Sequence, residues 1–165
     1  MRIQTTRFGP VEVDGSRVLH FSRGLVGFSR HRRYVLLPHA ERSPFWILQS
    51  VDDPDLAFVV MDPRDIEPSY VAAVPADELA AIGISTPEEA QGAVVLVIIR
   101  IPREPREATA NLRAPLVINP ANGMGVQVIL EKSPYGIRHP IFPAARAAPE
   151  HSEAAPAGRL TVSRS

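Results

Sequence analysis

Residues 45–61 have the sequence FWILQSVDDPDLAFVVM, in which two apolar runs flank a polar segment. Residues 45–48 and 56–61 are short and rich in aromatic and branched side chains, which is typical of β-strands. Asp52-Asp53-Pro54-Asp55 lies between them and has the composition of a turn, because Asp side chains accept hydrogen bonds from nearby backbone N–H groups. The segment therefore predicts two strands joined by an Asp-rich turn. Trp46 lies inside the first run and is predicted to be substantially buried.

The same pattern extends over most of the chain. Residues 93–101 are β-branched and long enough for a central strand, and residues 115–119 and 126–130 form a pair around Asn122-Gly123-Met124-Gly125, a turn sequence. Only residues 76–82 have helical character. Many of the 17 prolines lie between the apolar runs, where they mark strand ends or sheet edges. Short strands separated by Pro and Gly turns favour an antiparallel barrel or sandwich.

We predict a mostly β protein: a small, antiparallel β-barrel-like single domain with one short helix over residues 1–142, followed by a disordered tail over residues 143–165. The tail is dominated by Ala, Pro, Ser, Glu and Arg. Because it buries too little apolar surface to offset its chain entropy, it should be dispensable for folding. Leu160 and Val162 are its two large apolar residues and offer limited surface for docking.

Charge is distributed unevenly although the formal net charge is zero. Residues 52–107 contain four Arg against twelve Asp and Glu, a net charge of −8, whereas residues 1–51 contain eight Arg against three acids, a net charge of +5. Solvated loops account for such runs without any function. The alternative is that the acidic stretch attracts a basic partner.

No pattern typical of a catalytic or metal site is present. Cysteine is absent, the five histidines are scattered, and nucleophile-elbow, P-loop and zinc-protease motifs are missing. An EF-hand loop counted from Asp53 requires Gly sixth and Glu twelfth, where the chain has Phe58 and Arg64. We therefore expect no enzymatic activity, no cofactor and no metal. Two alternatives stay open: a small all-β enzyme with a dispersed site, and an RNA-binding domain that uses the basic residues 30–33.

Four stretches, in this order along the chain, resemble the FliW family. Together they extend over about residues 3–140, nearly the whole predicted domain. They are Phe8-Gly9 with Phe21 and Gly24-Leu25-Val26-Gly27-Phe28; residues 43–51 running into 53–58; residues 109–119; and residues 125–130 followed by Ser133-Pro134-Tyr135 and Arg138-His139-Pro140.

This resemblance implies a regulatory binding protein with a small β-barrel-like fold. Members of the family bind flagellin and CsrA, a dimeric RNA-binding translational repressor. The free protein holds CsrA away from the flagellin message, and newly made flagellin removes it from CsrA, so that translation falls. The expected partners are therefore flagellin and CsrA, with no direct nucleic-acid or membrane contact, and the free protein is expected to be a monomer.

Two groups of residues are candidates for partner binding. The acidic group attracts a basic protein such as CsrA, which must present a positive surface to RNA phosphates. The second group belongs to the motifs of the resemblance, although internal hydrogen bonding is an alternative role for its two amides. The acidic group is Asp52, Asp53, Asp55, Asp62, Asp65 and Glu67, and the motif group is Asn111, Gln127, Tyr135, Arg138 and His139.

The sequence also predicts a cytoplasmic protein. Residues 1–7 contain no apolar stretch of the kind that a signal peptide has. The longest purely apolar run, residues 93–99, is too short to cross a bilayer. The absence of cysteine fits a reducing compartment.

Overall fold

The computed structural model describes residues 1–41, 43–142 and 159–163, and within these ranges it contains thirteen strands and two short helices. The elements are β1 (Arg2–Thr5), β2 (Gly9–Glu12), β3 (Leu19–Phe21), β4 (Arg33–Pro38), β5 (Phe45–Ser50), β6 (Ala57–Met61), β7 (Val71–Pro75), α1 (Ala76–Ala81), α2 (Pro87–Gln91), β8 (Val94–Arg100), β9 (Thr109–Ala110), β10 (Leu116–Asn119), β11 (Met124–Gln127), β12 (His139–Pro140) and β13 (Arg159–Ser163).

Seven strands close into a barrel. They follow in the order β8-β6-β5-β4-β3-β11-β10, and β10 pairs with β8 to complete the ring. Neighbouring strands are antiparallel except for β3 and β11, which are parallel. Strand β9 pairs with the end of β8 that does not pair with β10, and β12 pairs in turn with β9. The predicted mostly β, barrel-like fold is therefore confirmed.

The quoted segment forms the hairpin that the sequence predicts. Strands β5 and β6 pair in register from Phe45 opposite Met61 to Gln49 opposite Ala57. The Asp-rich turn lies beyond that last pair. The predicted pair of residues 115–119 and 126–130 corresponds to β10 and β11, but β11 begins at Met124, inside the predicted turn, and ends at Gln127. Gly123 in the turn has a φ of +74° that favours glycine.

Alternating side chains fill the inside of the barrel. Because side chains alternate between the two faces of a strand, every second residue around the ring points inward. These inward residues and Leu25, from the segment between β3 and β4, form one buried cluster: Phe21, Leu25, Tyr34, Leu48, Val60, Leu96, Leu116 and Ile118. A separate small cluster of Ile3, Val18 and Val35 holds the β1–β2 hairpin against the outside of β4.

A second layer covers the outer face of β6, β8 and β10. It consists of β7, α1 and α2, whose buried residues pack in one cluster with Val97, Ile99 and Val117. The helix predicted at residues 76–82 corresponds to α1. Helix α2 was not predicted, although its start carries a recognisable signal: Thr86 and Glu89 form a capping box, and proline occupies the first turn.

The predicted burial of Trp46 is wrong. Its side chain is 42% exposed, whereas Ile47 and Leu48, which follow it in β5, are almost completely buried. Trp46 pairs with Pro38 at the end of β4, so it lies at the rim of the barrel, and no core cluster includes it. An apolar run in a strand thus does not bury all of its members, because its ends extend past the core.

Part of the predicted disordered tail is a strand. Within the described residues of that segment, Arg159–Ser163 forms β13, which pairs in parallel with β7 over five positions. Residues 143–158 and 164–165 lie outside the described residues. The local sequence is compatible with a strand, since Leu160 and Val162 alternate with polar neighbours.

Candidate functional site

The Asp-rich turn between β5 and β6 has a defined shape. Ser50, at the end of β5, accepts hydrogen bonds through its hydroxyl from the N–H groups of Asp52 and Asp53, at 3.2 and 3.0 Å. The Asp53 carboxylate accepts from the N–H of Asp55 at 3.0 Å. Beneath the turn, the fully buried amide of Gln49 donates to several of its main-chain carbonyls at 3.1–3.3 Å. Gln49 thereby fixes the positions of the carboxylates, a role that sequence analysis did not assign.

The three carboxylates of this turn, which we call the turn cluster, are partly neutralised from within the molecule. Asp52 forms an ion pair with Arg33, whose hydrogen bond lowers the pKa of the Asp52 carboxyl group. The His31 ring nitrogen Nε2 lies 3.6 Å from the Asp53 carboxylate, and the Thr6 hydroxyl donates to Asp55. With the Arg33 charge included, the three carboxylates of the turn cluster keep a net charge of −2.

The other acidic candidates lie elsewhere. Asp62, Asp65 and Glu67, which we call the distal cluster, follow the opposite end of β6. Since β6 has five residues and a strand rises roughly 3.3 Å per residue, the two clusters are about 15 Å apart or more. The structure therefore divides the acidic stretch into two patches and does not place its six acids together.

The distal cluster also has internal partners. Asp62 accepts from the backbone N–H of Arg64 at 2.9 Å and forms an ion pair with its guanidinium at 2.6 Å. Burial, and then the nearby Asp62 carboxylate, raise the pKa of Asp65. Glu67 accepts from the Ser69 hydroxyl at 2.7 Å. With Arg64 included, this cluster keeps a net charge of −2, the same as the turn cluster.

The motif group is distributed over β11, the residue after β9 and the segment that leads into β12, and its two amides are used internally. Gln127 accepts from the N–H of Val26 at 2.8 Å and donates to the carbonyl of Ala114 at 3.2 Å. The Asn111 side chain accepts from the N–H of Arg113 at 3.1 Å. These bonds correspond to the structural alternative considered for both residues, in which the amides position neighbouring segments.

The remaining motif residues lie beside them. Tyr135 packs its ring on Tyr70 with a centroid separation of 4.8 Å. His139 lies in β12 opposite Ala110 and is half-buried, so it is adjacent to Asn111. Arg138 is exposed and forms no ion pair within the described part of the chain.

A loop over residues 23–29 presents the most exposed apolar side chain near this group, and sequence analysis did not list it as a site. Val26 is 64% exposed, and Gln127 holds its backbone. Gly24 has a φ of +65°, and a Cβ there would lie 2.6 Å from the carbonyl oxygen of Phe28, so glycine permits the tight loop. The sequence signal was present, in the two glycines of Gly24-Leu25-Val26-Gly27.

Two shallow grooves meet next to this loop. One, of about 460 Å³, lies between the loop and residues of β11, and the other, of about 470 Å³, lies between β7 and residues 129–135. Ile129, which is 56% exposed, lines both. The loop, Ile129 and the neighbouring motif residues form a partly apolar surface, here called the motif surface, that is suited to a protein partner.

The described residues add two observations about chemistry. Within them, no group of three or more His, Cys, Asp or Glu side chains is placed to hold a metal ion. Among the same residues, no helix has the length and apolar character that crossing a membrane requires.

Comparisons with known proteins agree with the fold. A family model described as FliW protein matches residues 2–141. A flagellar assembly factor FliW from Natranaerobius thermophilus is 38% identical over 143 residues, which cover 86% of this chain and 93% of that protein. One from Syntrophus aciditrophicus is 41% identical over 142 residues, covering 86% and 88%. A crystal structure of the flagellar assembly factor FliW matches with a TM-score of 0.78 and 33% identity, over 87% of this chain and 98% of that one.

Proposed function

This chain belongs to the FliW family of flagellar assembly factors, and from that membership we propose that it binds flagellin and the translational repressor CsrA in turn. Free protein holds CsrA away from the flagellin message. Newly made flagellin competes for the protein, releases CsrA and lowers flagellin translation. No catalytic step, cofactor or direct contact with nucleic acid takes part, and the proposed compartment is the cytoplasm, with the protein monomeric when free.

The observation that carries this proposal is the turn cluster. Asp53 and Asp55 add two negative charges at the end of the β5–β6 hairpin beyond those that Arg33 balances. CsrA must present a basic surface to RNA phosphates, so a rigid acidic turn attracts it and also repels RNA from the same surface. We assign CsrA to the turn cluster, with the distal cluster as the alternative acidic site.

For flagellin we propose the motif surface. Exposed Val26 and Ile129 supply apolar contact area there, and Arg138 and Tyr135 supply polar groups at its border. Apolar contact with a polar rim is the usual composition of a protein interface. Because the two proposed surfaces are separate, flagellin displaces CsrA either by changing the conformation of this protein or because the two bound partners would overlap in space.

A competition experiment tests the proposal. CsrA is bound to a labelled flagellin leader RNA, and the complex is titrated with this protein and then with flagellin. We expect RNA to be released in the first titration and bound again in the second. The proposal is wrong if the protein leaves CsrA–RNA intact, or if it binds the RNA itself in the absence of CsrA, which would favour the RNA-binding alternative.

A further inference from the structure

Strand β7 depends on the C-terminal segment for its backbone pairing. Among the described strands, β7 pairs only with β13, through the parallel ladder from Val71–Arg159 to Pro75–Ser163. The part of the chain that matches the family model, residues 2–141, contains β7 but not β13. Within that part, β7 therefore presents an open strand edge, and an open edge pairs readily with any extended segment.

The register between β7 and β13 matches their apolar patterns. Ala72 and Val74 are the two completely buried residues of β7 and belong to the core cluster of the outer layer. Leu160 and Val162 are their register partners. The polar members of β13 pair with the less buried positions of β7, namely Arg159 with Val71, Thr161 with Ala73 and Ser163 with Pro75. A shift by one residue would exchange the two sets, so the apolar alternation fixes the register.

The other face of β7 borders the second groove. Val71, Ala73 and Pro75 line it together with residues 129–135. Tyr135 also lies at the beginning of the strand, where its hydroxyl is 3.4 Å from the N–H of Val71 and from the carbonyl of Ser69. The edge is thus continuous with the motif surface, and an added strand gains side-chain contacts on one face and core contacts on the other.

We propose that the edge of β7 is a strand-addition site for an extended peptide whose alternate residues are apolar, and that the chain's own segment Arg159–Ser163 occupies it as a tethered competitor. The connection between the domain and Arg159–Ser163 is long enough for this segment to reach β7. Residues 143–158 are 16 residues long, which gives a maximum reach of about 55 Å, longer than a domain of this size. A tethered segment acts at an effective concentration of roughly millimolar, so a free peptide must compete against it.

The test uses all 165 residues of the chain, so that no truncated domain is needed. Leu160→Asp with Val162→Asp, called the core-facing variant after the buried β7 residues Ala72 and Val74 with which these positions are in register, replaces both apolar residues of the segment and should release the tail. The matched control, Thr161→Asp with Ser163→Asp, adds the same charge at the alternate positions of the same strand, which are in register with Ala73 and Pro75. The probe is a fluorescent peptide with the sequence of residues 158–165, GRLTVSRS, and its anisotropy reports binding.

We expect the core-facing variant to bind the probe at least about tenfold more tightly than the wild type and the control variant. An edge that the tail occupies for nine-tenths of the time is free for one-tenth, which weakens the apparent affinity about tenfold. Backbone amides of β7 should also exchange with deuterium faster in the core-facing variant than in the control.

Three outcomes would overturn the proposal. Equal probe affinity in all three proteins would show that the tail does not occupy the edge. No binding to any of them would show that the edge is not a strand-addition site. A wild-type dimer that only the core-facing variant dissociates, seen by light scattering, would place the tail of a second copy on β7. None of these measurements involves CsrA or flagellin. The strand-addition proposal can therefore fail while the proposed function, which the competition experiment tests, still holds.

Discussion

Neutralising two carboxylates of the turn cluster should slow the association of CsrA without disturbing the fold. The variant is Asp53→Asn with Asp55→Asn. Asn keeps a side-chain oxygen that can accept the N–H at residue 55 and the hydroxyl of Thr6, the two hydrogen bonds that shape this turn. Asp52 is left unchanged, because replacing it would leave the Arg33 guanidinium without its ion-pair partner.

The size of the effect follows from Coulomb's law with screening. Two charges about 10 Å apart in water interact by roughly 0.4 kcal/mol, and 0.1 M salt reduces this to about 0.15 kcal/mol. If about four basic groups of CsrA face the turn cluster, removing two negative charges affects eight such pairs and costs roughly 1.2 kcal/mol. That corresponds to an association rate about sevenfold slower. At 1 M salt the Debye length is about 3 Å, and the difference should disappear.

The distal cluster supplies a matched control. Asp65→Asn with Glu67→Gln removes the same two charges at the other end of β6. At roughly 25 Å from the same basic groups, the eight pairs together amount to about 0.1 kcal/mol in 0.1 M salt, which changes the rate only about 1.2-fold.

Association rates are measured by stopped flow for the wild type and both variants at 0.1 M and 1 M salt. Circular dichroism spectra and urea midpoints check that the variants remain folded. If the turn variant and the wild type associate at equal rates with equal salt dependence, the turn cluster is ordinary solvated surface. If the distal variant is the slow one, the reasoning about which end of β6 binds CsrA is refuted.

Three further predictions test the packing, each by urea denaturation. Tyr70→Phe should cost about 1–3 kcal/mol because the Tyr70 hydroxyl donates to a buried main-chain carbonyl at 2.8 Å, whereas Tyr34→Phe should be near neutral because the buried Tyr34 hydroxyl has no hydrogen-bond partner among the described residues. Gly24→Ala should destabilise by at least about 1 kcal/mol more than Gly27→Ala, since both have positive φ but only Gly24 lacks room for a Cβ. Trp46→Ala should cost clearly less than the roughly 3–5 kcal/mol of a buried aromatic, because the side chain is 42% exposed; a cost in that range would show that it packs in the core.

Much of the barrel wall was predictable because its determinants are local. Strands β5, β6, β8 and β10 are apolar runs flanked within two positions by Pro, Gly or Asp, which restrict the backbone next to them, whereas β3 and the β10–β8 pairing that closes the ring carry no such local signal. The hairpin of residues 45–61 and the turn at Gly123 needed no information from distant parts of the chain. The helix α2 was missed because it is only five residues long, although its capping box was visible in the sequence.

The arrangement of the acidic residues was not predictable in the same way. Asp55 and Asp62 are seven positions apart in sequence, but β6 runs between them and carries them to opposite ends of the barrel wall. Sequence proximity therefore overestimated the size of the patch. The reverse holds for Asp52 and Arg33, which are 19 positions apart and form an ion pair because β4 and β5 are neighbours. Strand pairing, which joins distant residues, decides what charge a surface presents.

A polar residue can shape a binding surface without being part of it. Gln127 belongs to the motif group, whereas Gln49 was not singled out as a candidate; both amides bond to main-chain groups, that of Gln127 to the loop at Val26 and that of Gln49 to the Asp-rich turn. Gln49 is buried and Gln127 is half-buried. An amide that bonds to main-chain groups favours one conformation of a loop, and for Gln49 the loss of these bonds would also leave a buried polar group unpaired. The side chains that meet a partner are then the exposed neighbours, Val26 for the first loop and Asp53 and Asp55 for the turn. Substituting either glutamine should weaken partner binding through loop order, which raised hydrogen exchange in the loop would reveal, whereas substituting the exposed residues should weaken binding and leave exchange unchanged.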